Sequence, residues 1–414
     1  MKYPAIIVFT IALGLAILFL YDPSSDPGKG VQTLVVGSRL WSHPAEQEFV
    51  RNSILASFEQ AHGCVVKLTL ADDAKLLQQV QVQRDTGNQT TDVVVVYGPQ
   101  MRRWIEDNLV EDLDNQLKTW NERSFAEGFR ALTSKDGKRY FLPVAADDYL
   151  LLVNKLAMEH LPEGASIKTL SWQQLADWAL AIAKAEGEGK MAFTAAAQKM
   201  LIYQVSAVVL SYGGGFPDVA SEGALAAWKL LKSMKPALCK ATTTFDTVIP
   251  PLKRGEAWIA ISHNARIGEV YAMAPDRYVI APVPLGPAGR GSVAGVSGLG
   301  LVKGSAKSEL ALAFMKYLTQ PEIQLQLSKG TGGFIPAVTE AQALLGDAPE
   351  DAVIRESLKV LKQGKLAFIP AVNDWGSVKK IYDEAFAKIV LGDTEADPAY
   401  LDGAQEKINA LLKL

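Results

Sequence analysis

The stretch DGKRYFLPVAADDYLLLVNK, residues 136 to 155, sets two adjacent carboxylates, Asp147 and Asp148, between a strand that ends on Pro143 and a second, almost unbroken apolar strand. An unpaired carboxylate between buried strands loses its hydration, so it persists where it meets partners or faces a polar cleft. Two readings follow from these residues alone. One is a cap, turn or structural salt bridge; the other is a ligand-facing edge where the chain passes from one lobe to another. Side chains on an extended backbone alternate, so the two aspartates should point in opposite directions.

The flanks alternate between strands and helices. TLVVGS (33–38) reads as a strand, residues 44–63 as a helix with Val50, Ile54, Phe58 and Ala61 on one face, and CVVKLTL (64–70) as a second strand. DAKLLQQVQVQRDTG then forms a helix leading to DVVVVYG (92–98), whose valine run suits a strand buried on both faces. Open α/β sheets bind ligands beyond the carboxyl ends of their strands, which marks the loops at Gly37 to Trp41 and Tyr97 to Pro99. Further on, helices are expected over 171–185, 196–215 and 224–234, strands over 256–265, 278–286 and 295–305, and a helix in ELALAFMKYLTQ.

At 414 residues the chain suits two lobes, and 49% hydrophobic with 21% charged residues is ordinary for a folded protein. A net charge of −3 without a Lys/Arg block argues against nucleic acid. Cys64 and Cys239 read as small buried apolar residues. His43, His62, His160 and His263 lack metal-ligand spacing, and no cofactor or metal motif is present. Residues 3–21 carry no charge and as a helix would span about 28 Å, near a bilayer core. No A-x-A site follows, so an uncleaved membrane anchor is expected, with a cleaved signal peptide as the alternative. Either exports the rest of the chain to the periplasmic or extracytoplasmic side, and residues 22–30 read as a tether.

In order, FEQAHGCVV, TDVVVVYG, LVEDLDNQL, the 136–155 stretch, TLSWQQLADWA, YGGGF, LKRGEAWIAIS, APVPLGPAGRGSVAGVSGLGLVKGS and GFIPA resemble the solute-binding proteins of ABC importers, within the carbohydrate-binding group that includes maltose-binding protein. The likeness runs over most of residues 33–340. It implies an α/β, two-lobed periplasmic-binding-protein-like fold (type II) with the ligand cleft between lobes and three interlobe crossings. The first lobe would comprise 31–143 plus 287–335 and the second 147–284 plus 336–414. The implied function is capture of a sugar or oligosaccharide by a monomeric binding protein that delivers it to the permease subunits of an ABC importer.

The resemblance also carries site positions. Asp147, four residues after Pro143 and ahead of Asn154-Lys155, keeps the spacing of a ligand carboxylate. An ionised carboxylate can accept from two adjacent sugar hydroxyls. Asp148 is a second ligand candidate, better suited to a hinge salt bridge. Trp41, Tyr97 and Trp375 stand in loops as candidate sugar-stacking rings, since a pyranose offers apolar C–H faces to an aromatic plane. His263 and Asn264 end a strand where relatives place cleft residues, although the tryptophan found nearby in maltose-type proteins is missing. Trp172, Trp178, Trp228 and Trp258 read as structural. Arg39, Arg266 and Arg290 are the basic residues with plausible cleft positions, and a neutral sugar is preferred over a phosphate conjugate. A membrane-tethered sensor using the same closure mechanism is the alternative. A glycosidase is disfavoured, because its two carboxylates must converge from opposite sides of a bond.

Overall fold

The computed structural model describes residues 30–413, with 126, 371 and 373 excepted. The apolar segment 3–21 and nearly all of the tether lie outside the described residues. No helix of the described residues is long and apolar enough to cross a membrane. Among the described residues nine strands of four or more residues organise the chain: β1 (Gln32–Ser38), β2 (Cys64–Leu70), β3 (Val93–Tyr97), β4 (Leu142–Asp147), β5 (Tyr149–Asn154), β6 (Ile259–His263), β7 (Tyr278–Pro282), β8 (Gly289–Leu301) and β9 (Lys365–Phe368).

The first sheet runs β8-β3-β1-β2, with β4 also on β8. β1 pairs in parallel with β2 and β3, as the β-α-β pattern requires, whereas β8 runs antiparallel to β3 and β4. The second sheet runs β7-β5-β6 and closes on the short strand Met191–Ala192. Every residue of β5 is buried. Leu150 and Leu152 enter one core while Leu151 and Val153 enter another, so covering both faces of the sheet explains the unbroken apolar run.

Asp147 is the last residue of β4 and pairs with Gly295; Tyr149 opens β5 and pairs with His263. Asp148 therefore stands alone between the two sheets. A second connection is β8, whose glycines serve two partners. Gly291 lies so close to helix Leu201–Ser211 that an added Cβ would come within 2.6 Å of the Ser211 nitrogen. Residues 291–294 pair with β9, and only from Gly295 onward does β8 join β4 and β3. The lobe boundary expected at 287 thus falls before a half-strand that packs on second-lobe elements. Residues 332–335 make the third connection, where Gly332 and Gly333 take φ 79° and 97° and Ile335 bridges to Ala146.

Helix Ala352–Gln363 lies behind these connections. Ile354 and Leu358 pack with Ala146 and Val296, while Val353 and Val360 pack with Leu150 and Leu152. One helix so joins the cores on both sides of the hinge.

Two local expectations differ from the structure. The helix expected from residue 196 begins at Leu201. The Ala195 and Ala196 N–H groups are taken by Thr242 and Phe245 carbonyls, and Gln198 has φ 57°, which no helix accommodates. The helix after β1 is continuous from Pro44 to His62 but is π-wound over Val50–Leu55. Cys64 and Cys239 are free and buried. The indoles of Trp172, Trp178 and Trp228 donate to Ser211, Ala157 and Val219 within the second-lobe core.

Candidate functional site

The carboxyl ends of β1 and β3, the crossing after β4, and helix Leu201–Ser211 from the second lobe enclose a cavity of about 190 Å3. Its walls carry three tyrosines, Tyr97, Tyr149 and Tyr203, together with Arg39, Asp147, His263 and Lys379. Phe334, Met200 and Ile369 supply apolar surface. Both lobes contribute, and most of the polar groups are aimed by strand ends.

Asp147 is 9% exposed and faces this cavity. Its Oδ2 lies 3.5 Å from His263 Nε2. His263 Nδ1 accepts the Ala265 N–H, so in the neutral ring the proton belongs on Nε2, toward Asp147. Opposite Asp147 on β8 stands Gly295, where a Cβ would come 2.2 Å from the Tyr97 hydroxyl and 2.7 Å from the Asp147 carboxylate. Glycine there lets the phenol and the carboxylate converge.

Tyr149 follows Asp147 by two residues and so shares its face of the chain. It is 2% exposed, lines the cavity, and its hydroxyl has no hydrogen-bond partner among the described residues. A buried hydroxyl left unpaired costs about 1–3 kcal/mol. Burial pushes the Tyr149 and Tyr97 phenols well above their ordinary pKa, and that of Tyr203 up to about 12, so all three are neutral donors.

Asp148 takes the other direction. It is fully buried, and its Oδ1 accepts the Ser357 hydroxyl at 2.7 Å from helix Ala352–Gln363, behind the hinge. Burial pushes its pKa up to about 8, opposed by the Ser357 hydrogen bond and aided by the charge of Asp147. The hinge salt bridge expected of it is replaced by this neutral partner, because among the described residues no cation lies within 4 Å. It does not line the cavity.

Asn264 is also turned away from the cavity. Its Nδ2 donates to the Gly333 carbonyl and its backbone N–H to the Asp148 carbonyl, so it pins two of the interlobe connections together. The polar strand end that suggested a ligand contact is the start of helix Asn264–Met273, fully buried. Trp375 stands one layer out: its Nε1 donates to the Tyr203 hydroxyl at 2.8 Å and its ring meets Phe216 edge-on. Tyr203, not Trp375, faces the cavity.

Trp41 is 2% exposed with φ 63°, a left-handed conformation that costs a bulky residue of order 1–3 kcal/mol. It borders a neighbouring chamber of about 370 Å3, which shares Arg39, Met200, His263 and Phe334 with the first. Arg266 lines that chamber, paired with Glu46 of the first lobe and Glu269. Arg290 is buried elsewhere, donating to the carbonyls of Val283 and Lys168. Arg39 does reach the cavity, with its guanidinium 4.5 Å from the Tyr97 ring centre and 3.7 Å from Asp73.

Sequence reading missed Tyr149, Tyr203 and Lys379. For Tyr149 a signal existed, since it sits two residues beyond Asp147. Tyr203 and Lys379 lie on helices whose facing is decided by packing. Among the described residues no group of three or more His, Cys, Asp or Glu side chains converges as metal ligands would.

Comparison with known proteins bears on the fold and the family. A protein of Brucella abortus (strain 2308) named as a binding protein is 26% identical over 353 residues, 82% of this chain and 83% of its own length. Among solved structures, the GacH receptor of Streptomyces glaucescens superposes with a TM-score of 0.73 at 18% identity, covering 93% of this chain and 99% of the receptor. The sugar-binding protein MalE of Xanthomonas citri gives 0.74 at 16% identity over 92% and 98% of the two chains. Maltose-bound MalE3 of T. maritima gives 0.72 at 20% identity over 92% and 100%. These likenesses establish the two-lobed, type II binding-protein fold. The family described as bacterial extracellular solute-binding protein matches residues 53–356, well over half of the chain, and the protein belongs to that family.

Proposed function

We propose that the chain captures a sugar or similar polyhydroxylated solute between its lobes and delivers it to the membrane subunits of an ABC importer. The observation that carries this reading is that the Asp147 carboxylate and the unpartnered Tyr149 hydroxyl line the same cavity. The first accepts from vicinal hydroxyls with charge-assisted strength and the second supplies or accepts one more bond. Tyr97, Tyr203 and Phe334 add the flat apolar surface that a pyranose ring matches. The cavity of about 190 Å3 adjoins the chamber of about 370 Å3 through shared wall residues, so the cleft has room for one sugar ring or more. The likeness to GacH, solved with acarbose, and to a Thermotoga lettingae protein solved with tagatose supports the ligand class.

Ligand bound to both walls favours the closed arrangement by its differential affinity, and closure alters the surface offered to the permease. One chain supplies both walls, so a single copy carries a complete cleft. The apolar segment 3–21 acts as export signal or anchor on the extracytoplasmic face.

The test is a thermal-shift panel of mono- and disaccharides on the full-length protein in detergent. A cognate sugar at about 100 times its Kd adds about 2.7 kcal/mol to the native state and raises the melting temperature. At least one of these sugars is expected to give a clear rise; no rise with any sugar would overturn the proposal.

A further inference from the structure

Two cations face the cavity from opposite lobes, and the sugar reading gives neither a use. Arg39 comes from the loop after β1 and Lys379 from helix Trp375–Ala385. Arg39 has a distant partner in Asp73, which also accepts the Tyr97 N–H. Lys379 forms no ion pair within 4 Å among the described residues, and the negative charge that acts on it is that of Asp383. Asp383, one turn along the same helix, is engaged by the Gln198 N–H at 2.6 Å. The Lys379 ammonium instead stands 5.7 Å from the Tyr203 ring centre. Burial holds its pKa below the ordinary lysine value, the negative charge of Asp383 opposes this, and Lys199 and Arg39 act on it as like charges.

A partly desolvated ammonium with no anion in direct contact is costly, and two cations converging on one cavity repel each other. Asp147 is the single carboxylate of the lining. One negative charge brought by the ligand would relieve both costs, and held from both sides it would draw the lobes together.

We infer that the cavity takes a polyhydroxylated ligand bearing one anionic group, a sugar acid or sugar phosphate, with the anion between Arg39 and Lys379 and vicinal hydroxyls on Asp147. This rests on the sugar reading above. It revises the preference for a neutral sugar, because Lys379 adds the second cation that sequence reading did not find.

Calorimetric titration of the full-length protein with matched pairs tests it: galactose against galacturonate, glucose against glucuronate, and glucose against glucose 6-phosphate. In at least one pair the acidic member is expected to bind about tenfold tighter or better, a margin that shrinks in high salt. Whether carboxylate or phosphate is preferred identifies the anion. Lys379→Gln should cut the acid-to-neutral ratio about tenfold, while Lys379→Arg, which keeps the charge, should preserve most of it. Neutral sugars binding as tightly as their acids would overturn the charge inference and leave the sugar reading intact. So would an unchanged ratio in Lys379→Gln. Heat from no member of any pair would overturn both.

Discussion

The two faces of the crossing at residues 147 and 148 use the same side-chain chemistry for opposite ends. On the cleft face, Asp147 stands beside His263 and, across Gly295, near the Tyr97 hydroxyl, facing open cavity. On the back face, Asp148 meets Ser357 and the apolar packing of helix Ala352–Gln363. A carboxylate beside polar donors and a cavity is available to a ligand. One sealed behind the hinge with a single hydroxyl partner is best kept neutral. The cleft face should therefore govern binding, and the back face stability.

The largest expected effect is the pH dependence of stability on the back face. The folded-state pKa of Asp148, about 8, lies above its unfolded value near 3.9, so the native state holds a proton that the unfolded chain has lost. That contribution is complete below about pH 4 and is lost as pH rises through about 8, by up to about 1.4 kcal/mol per pH unit within the window. Urea unfolding of the wild type from pH 5 to 9 should show this decline, and Asp148→Asn should flatten it. Next, Ile354→Ala opens a cavity where the back helix meets the first-lobe core, and denaturant titration should register a loss of roughly 3 kcal/mol. Its ligand affinity should stay close to wild type once corrected to the folded fraction.

The cleft face should answer in the reverse sense. Gly295→Ala places a methyl group between the Tyr97 hydroxyl and the Asp147 carboxylate, which are side-chain ends able to swing aside. Affinity should fall about tenfold, near 1.4 kcal/mol, in calorimetric titration, with a smaller shift in unliganded melting temperature. Equal losses of affinity and stability would erase the distinction between the faces.

The division was partly legible before any coordinates. Strict alternation along an extended chain already sends Asp147 and Asp148 in opposite directions, and the same rule puts Tyr149 beside Asp147. The valine run of β3 announced a strand covered on both faces, and the apolar run of β5 announced a buried strand. What could not be read was which helix face turns toward the cleft. Tyr203 sits in the wholly buried helix Leu201–Ser211, and Lys379 in a helix that would pass for a solvated surface, until the second lobe is assembled opposite β1. Asn264 misled for a related reason: a polar residue at a strand end looks the same whether it meets a ligand or pins two connecting segments. Trp375 misled through one hydrogen bond, since its indole supports the ring that reaches the cavity.

The most direct measurement is a side-by-side titration of wild type, Asp147→Asn and Asp148→Asn with whichever sugar gives the largest thermal shift. Asp147→Asn should lose about a hundredfold in affinity, the loss of two charge-assisted bonds, while the unliganded protein melts near the wild-type temperature. Asp148→Asn should bind within a few fold of wild type at pH 7 and change only the pH profile of stability. A large loss of affinity in Asp148→Asn, with Asp147→Asn binding normally, would contradict the assignment of the two faces.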